Sequence, residues 1–152
     1  MWLVYDNRNN EAIEMGLEIV RARVPSSLLA TDWLSGGDPV WKGVHMFDDT
    51  GDGRSFRYTA HCMYPCHSAS RVQRVPMVIM PEPVDWWVVV HELGHVIDYH
   101  LGFTRMCEPC TEYAKTDRME AFAEAFTAYC SVGYAEISAD DRAFFDSLRV
   151  MA

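Results

Sequence analysis

The stretch WWVVVHELGHVIDYH, Trp86 to His100, sets two histidines and a glutamate in the middle of the most apolar run of the chain. Asp85 suits an N-cap, Gly102 suits the position just past a C-cap, and no proline or glycine cluster interrupts the residues between, so Trp86 to Leu101 is predicted as one helix. At 100° per residue His91, His95 and Asp98 fall on one side, and Trp86, Val89, Val90, Leu93, Ile97 and Leu101 on the other. An apolar run of this length implies cover on both sides. Two imidazoles one turn apart in a covered helix lose their hydration unless something replaces it, and a metal ion does so.

The chain has 152 residues, 49% of them hydrophobic, which is enough for one domain with a real core and too little for two. A single domain spanning 1–152 is expected. No segment reaches the ~18 apolar residues that span a bilayer, and MWLVYDNRNN lacks the basic-then-apolar order of a leader, so the expectation is a cytoplasmic protein. The net charge of -9 argues against nucleic acid and anionic membrane, which reward Lys and Arg, and favours basic or neutral protein and peptide partners.

Outward from the central helix, Trp2 to Tyr5 is β-prone. In EAIEMGLEIVRARV the residues Ile13, Leu17, Val20 and Val24 repeat at helical spacing up to Pro25. SSLLATDWLSGGDPVWKG, broken by Gly36, Gly37 and Pro39, reads as irregular structure with a short helical turn. GVHMF and SFRYTA flank DDTGDGR as a hairpin would, and VPMVIMP reads as an edge strand bounded by Pro76 and Pro81. After a loop at 103–116, DRMEAFAEAFTAYC is a second strong helix with Met119, Phe122, Phe126 and Tyr129 toward the core. A last helix begins at Ser138 or Asp140 and carries Phe144, Phe145 and Leu148.

His91-Glu-Leu-Gly-His95 fits HExxH, in which histidines at i and i+4 offer two nitrogens to one Zn²⁺ and the intervening glutamate acts as general base. A catalytic zinc needs a third protein ligand and an open position. A third histidine six residues after His95 is ruled out by Leu101. The second helix offers Glu120 and Glu124, one turn apart and opposite its aromatic face, although glutamates on helices commonly do no more than solvate an outer surface.

The stretch TEYAKTDRMEAFAEAF, Thr111 to Phe126, resembles the corresponding region of the anthrax lethal factor-like metallopeptidases, which include the Pro-Pro endopeptidases. In that family a tyrosine precedes the third-ligand glutamate by seven positions and the helix runs on through Phe-Ala-Glu-Ala-Phe, as Tyr113, Glu120 and residues 122–126 do here. HELGHVID, His91 to Asp98, is similar to the family's active-site helix. The resemblance implies His91, His95 and Glu120 as zinc ligands, Glu92 as base, Tyr113 as a catalytic hydroxyl, and Glu124 as the partner of a ligand histidine. The connection between the two blocks is shorter than in the larger members and carries a CEPC turn, so substrate preference does not transfer.

The chemistry agrees with these residue types. Zn²⁺ polarises a carbonyl and lowers the pKa of water toward ~7. Glu92 can move a proton to the leaving amine, and Tyr113 can donate to an oxyanion. Glu124 and Asp98 are candidates to fix histidine tautomers, Asp98 being equally placed to be a surface residue at the helix end. The expected fold is therefore α+β, a small zincin-like domain. Its sheet is twisted and mostly antiparallel, with an edge strand over the HExxH helix and a second helix bearing the third ligand. The expected function is zinc-dependent peptide hydrolysis. A zincin-fold structural or binding domain of a larger assembly, without turnover, is the alternative. A module acting at nucleic acid is disfavoured by the charge.

Cys62, Cys66, Cys107 and Cys110 form two close pairs. They suit a second, structural Zn²⁺ if the loops meet, and otherwise disulfides or separate thiols. Cys130 reads as a small buried hydrophobe. Asp48 to Gly53 looks like the start of a calcium-binding loop, but its twelfth position is Thr59, and a polar turn is expected.

Overall fold

The computed structural model describes residues 2–3, 10–35, 60–65, 75–80 and 85–151. In chain order the elements are β1 (Trp2–Leu3), α1 (Asn10–Arg21), β2 (Asp32–Ser35), β3 (His61–Met63), β4 (Met77–Met80), α2 (Trp86–His100), α3 (Arg118–Cys130) and α4 (Ala139–Ser147). Short 3₁₀ turns cover Ser26–Leu28, Tyr113–Lys115 and Leu148–Met151. The class is α+β. The hairpin expected around Asp48 to Gly53, and Cys66, lie outside the described residues.

The sheet order is β1-β2-β4-β3. β1 pairs with β2, and β2 with β4, in parallel, while β3 runs antiparallel to β4 with Cys62 opposite Val78. This corrects two expectations. The described sheet is mixed rather than mostly antiparallel, and VPMVIM is an interior strand rather than an edge. Pro76 stands one residue before Met77–Met80, so it takes no donor from the strand itself. The Pro76 carbonyl instead accepts from Asp32 N at 2.9 Å and Thr31 Oγ1 at 2.8 Å, which starts the β2 pairing. β2 itself falls in a segment read as irregular, because its glycines and proline follow the strand instead of interrupting it. Among the described strands the edge that overlooks α2 is β3.

α1 buries Ile13, Leu17 and Val20 at its helical spacing against α2. Gly16 permits the close approach, since a Cβ there would lie 2.7 Å from a Val89 methyl. α2 is buried from Val89 through Asp98 and packs mainly on α3. Its C-terminus is closed by Gly102 N donating to the Tyr99 carbonyl and Phe103 N to the Asp98 carbonyl, both at 3.0 Å, the double bond of a Schellman ending. Gly102 has φ 75°, which glycine takes freely. Phe103 has φ 58°, a left-handed conformation that costs a residue with a Cβ about 1–2 kcal/mol.

α3 is capped by Asp117, whose carboxylate accepts from Glu120 N at 2.8 Å. Its apolar side places Phe122 and Phe126 against Phe145 of α4, with ring centroids 5.5 and 5.4 Å apart. Met119, expected in the core, is 37% exposed and borders a cleft. Ser138 caps α4 by accepting from Asp141 N. Asp141 is buried and accepts from Arg105 at 2.7 Å and Glu108 N at 3.0 Å, tying the 103–116 loop to α4. Among the described residues no helix is long and apolar enough to cross a membrane.

Candidate metal centre

α2 and α3 meet at Gly94, where a Cβ would come within 3.0 Å of Ala123 Cα. That contact brings Glu120 and Glu124, one turn apart on α3, level with His91 and His95, one turn apart on α2. His91 Nε2 lies 3.0 Å from Glu120 Oε2, and His95 Nε2 lies 3.2 Å from Glu120 Oε1. The three residues' ligand atoms all lie within 4.8 Å of one another. Donors about 2.1 Å from a tetrahedral zinc are about 3.4 Å apart, so each histidine–Glu120 contact needs to open by only a few tenths of an ångström to admit an ion. A buried pair of imidazoles facing one carboxylate fits such an ion. The donor set fits other divalent cations too.

Glu124 is buried, and all of its hydrogen bonds organise this group. Its Oε2 accepts from His91 Nδ1–H at 3.0 Å and from the Tyr134 hydroxyl at 2.8 Å, and its Oε1 accepts from Thr111 Oγ1 at 2.8 Å. With Nδ1 held as a donor, the lone pair of a neutral His91 is on Nε2, the atom turned to Glu120. Tyr134 and Thr111 are functional candidates that the sequence reading missed. Thr111 stands at the start of the stretch Thr111 to Phe126, whereas Tyr134 follows α3 in an irregular stretch and has no motif.

The electrostatics follow from this crowding. Burial alone would lower the pKa of His91, but its hydrogen bonds to Glu120 and Glu124 more than offset that and raise it to about 10. Burial opposes ionisation of Glu120, yet the two histidines hold it well below the usual carboxylate range. Glu92 is buried, has no hydrogen bond among the described residues, and has its pKa raised by burial, partly countered by His95 and His91. Tyr113 lies 5.9 Å from the His91 ring, centroid to centroid, and is half-exposed. Burial, then the Glu120 charge and a hydrogen bond to it, push its hydroxyl to about 12.

Asp98 is brought to a different partner from the one expected. It is fully buried and accepts a hydrogen bond from Arg118, not from a histidine, while its Oδ1 and His95 Nδ1 have no partners among the described residues. A helical wheel places Asp98 on the histidine side, but it does not show that Arg118 reaches across from α3. Nor do the described cysteines converge. Cys62, Cys107 and Cys110 are free thiols that make no common group of three donors. Cys107 is buried beside Arg105, and burial, then Asp141, push it to about 12. Cys62 faces the cleft from β3. Cys130 is a buried thiol, as its helix face implied.

Two cavities open over Glu92. One, about 300 Å³, is bordered by Cys62, Tyr64, His95, Met119 and Glu120. The other, about 380 Å³, is bordered by Trp87, Val88, His91, Glu124 and Tyr134. Ala60, Glu92 and Tyr113 belong to both. The group of possible ligands, the buried Glu92 carboxylate and Tyr113 thus lie around one divided cleft. A search of protein-family models, curated proteins and solved structures finds no match to this chain.

Proposed function

We propose that the chain is a zinc-dependent metalloendopeptidase whose α+β fold is a small zincin, and that His91, His95 and Glu120 hold the metal. The observation that carries this is the convergence of those three side chains beside a buried carboxylate, Glu92, that makes no hydrogen bond among the described residues. A structural ion needs a closed set of four donors, whereas three donors beside a cleft match the open arrangement of a catalytic site. Zinc bound there would polarise the scissile carbonyl and acidify water.

The protein's part is positional. Glu124 fixes the His91 tautomer. Glu92, with its proton affinity raised by burial, takes a proton from the attacking water and returns it to the leaving amine. Tyr113, protonated at neutral pH, donates to the carbonyl oxygen as negative charge gathers there. The cleft's two cavities take the peptide on either side of the bond to be cut, and the acidic surface suits basic or neutral peptides.

Zinc titration of metal-stripped protein tests the ligand set. One ion per chain is expected at this site, with Glu120→Ala weakening its binding at least tenfold while the fold persists. Full-strength binding in that variant would remove Glu120 from the ligand set.

A further inference from the structure

Strand alternation carries Ala60, Cys62 and Tyr64 to the face of β3 that looks onto α2, and all three border the smaller cavity. The reacting centre belongs where the two cavities meet, at Ala60, Glu92 and Tyr113. Tyr64 borders only the smaller one, with His95 and Glu120, which places it to one side of that meeting point. That hydroxyl makes no hydrogen bond among the described residues.

Two aromatic contacts hold the ring. It stacks on Tyr99 of α2 with centroids 5.9 Å apart and planes 13° from parallel, and it meets the edge of Phe103 at 5.1 Å and 83°. Phe103 is the residue in the left-handed conformation, at φ 58°. Glycine would fill that position without strain, but only a side chain there can support Tyr64, and Arg118 covers the same ring at 5.7 Å. Strain of this kind persists where surrounding contacts enforce it, and it gathers at functional sites.

We propose that Tyr64 is a substrate-positioning residue whose hydroxyl donates to a main-chain carbonyl of the bound peptide in the cavity beside the scissile bond, and that Phe103 holds it in place. The proposal rests on the peptidase reading above. A carbonyl is the acceptor because Glu92 and Glu120 border the same cavity and disfavour a negatively charged group. Because the contact is made equally in the bound substrate and in the transition state, it acts on KM and not on kcat.

The test uses the most rapidly cleaved member of an internally quenched peptide library. Tyr64→Phe keeps the ring and its stacking and removes only the hydroxyl. With zinc content and melting temperature unchanged, KM should rise about 3- to 10-fold, as loss of one neutral hydrogen bond implies, and kcat should stay within about twofold. The same peptide should bind zinc-loaded Glu92→Gln protein in calorimetry, and adding Tyr64→Phe should weaken that binding by the same factor. Phe103→Ala should raise KM in the same direction with the hydroxyl still present. Unchanged KM and unchanged binding in Tyr64→Phe would overturn the proposal, as would a fall in kcat alone. If the parent protein neither cleaves nor binds any library peptide, the peptidase reading falls and the role of Tyr64 falls with it.

Discussion

His91 uses both of its ring nitrogens, one toward Glu120 and the other toward Glu124, and this double engagement explains why a buried imidazole is tolerated inside an apolar helix. The HExxH spacing makes His91, Glu92 and His95 legible from sequence. Glu120 and Glu124 are legible as carboxylates one turn apart on a second helix, but which of them faces the histidines' Nε2 atoms is set by how α2 and α3 dock. Thr111 and Tyr134, which donate to Glu124, reach it from loops whose path no periodicity reveals. Asp98 shows the reverse failure, a residue on the right side of its helix whose partner comes from elsewhere. At this scale the sharpest test is Tyr113→Phe. The ring still packs near His91, so zinc content and stability should match the parent, while kcat should fall by ~10²–10³, the usual loss for one oxyanion donor. A parent-like kcat would make Tyr113 a packing residue.

The decisive meeting of elements is the crossing of α2 over α3 at Gly94, the residue between Leu93 and His95 that nothing in the metal motif itself requires to be small. Gly94→Ala would place its methyl 3.0 Å from Ala123 Cα and 3.4 Å from its Cβ. Backbone cannot yield as a side-chain tip can, so the helices must part. A stability loss of about 1–3 kcal/mol is expected in urea unfolding, together with weaker zinc binding as Glu120 draws away from His91 and His95. Parent-like values of both would show that the crossing has slack. The helices were legible because their apolar positions repeat at helical spacing and their caps stand at both ends, Asp117 and Ser138 among them. The strands were less so. β2 and β3 have four and three residues, too few to show alternation, and strand order depends on partners distant in sequence. For that reason VPMVIM, with its flanking prolines, reads as an edge in sequence, whereas among the described strands β3 holds that edge.

For the molecule as a whole, the 103–116 loop is the link between the candidate metal centre and the C-terminal helix. Asp141 fastens it, buried and accepting from Arg105, Glu108 N and, through the α4 cap, working alongside Ser138. Burial alone would raise the pKa of Asp141, but Arg105, the Glu108 N–H and the Ser138 side chain outweigh it and hold the carboxyl below its ordinary value. A depressed folded pKa contributes stability above the unfolded value of about 3.9, and that contribution is lost as pH falls through the folded value. Asp141→Asn should therefore lower the urea midpoint at neutral pH by the equivalent of about 1–3 kcal/mol, and the gap to the parent should close below about pH 4. A gap constant with pH would show that the charge of Asp141 contributes nothing. The central claim concerns turnover, and one comparison reaches it directly: cleavage of a diverse peptide library by zinc-loaded parent protein and by Glu92→Gln protein shown to carry the same zinc. The expected result is hydrolysis by the parent at defined peptide bonds, with the variant slower by a factor of at least ~10². Equal hydrolysis by both proteins, or none by the parent, would contradict it.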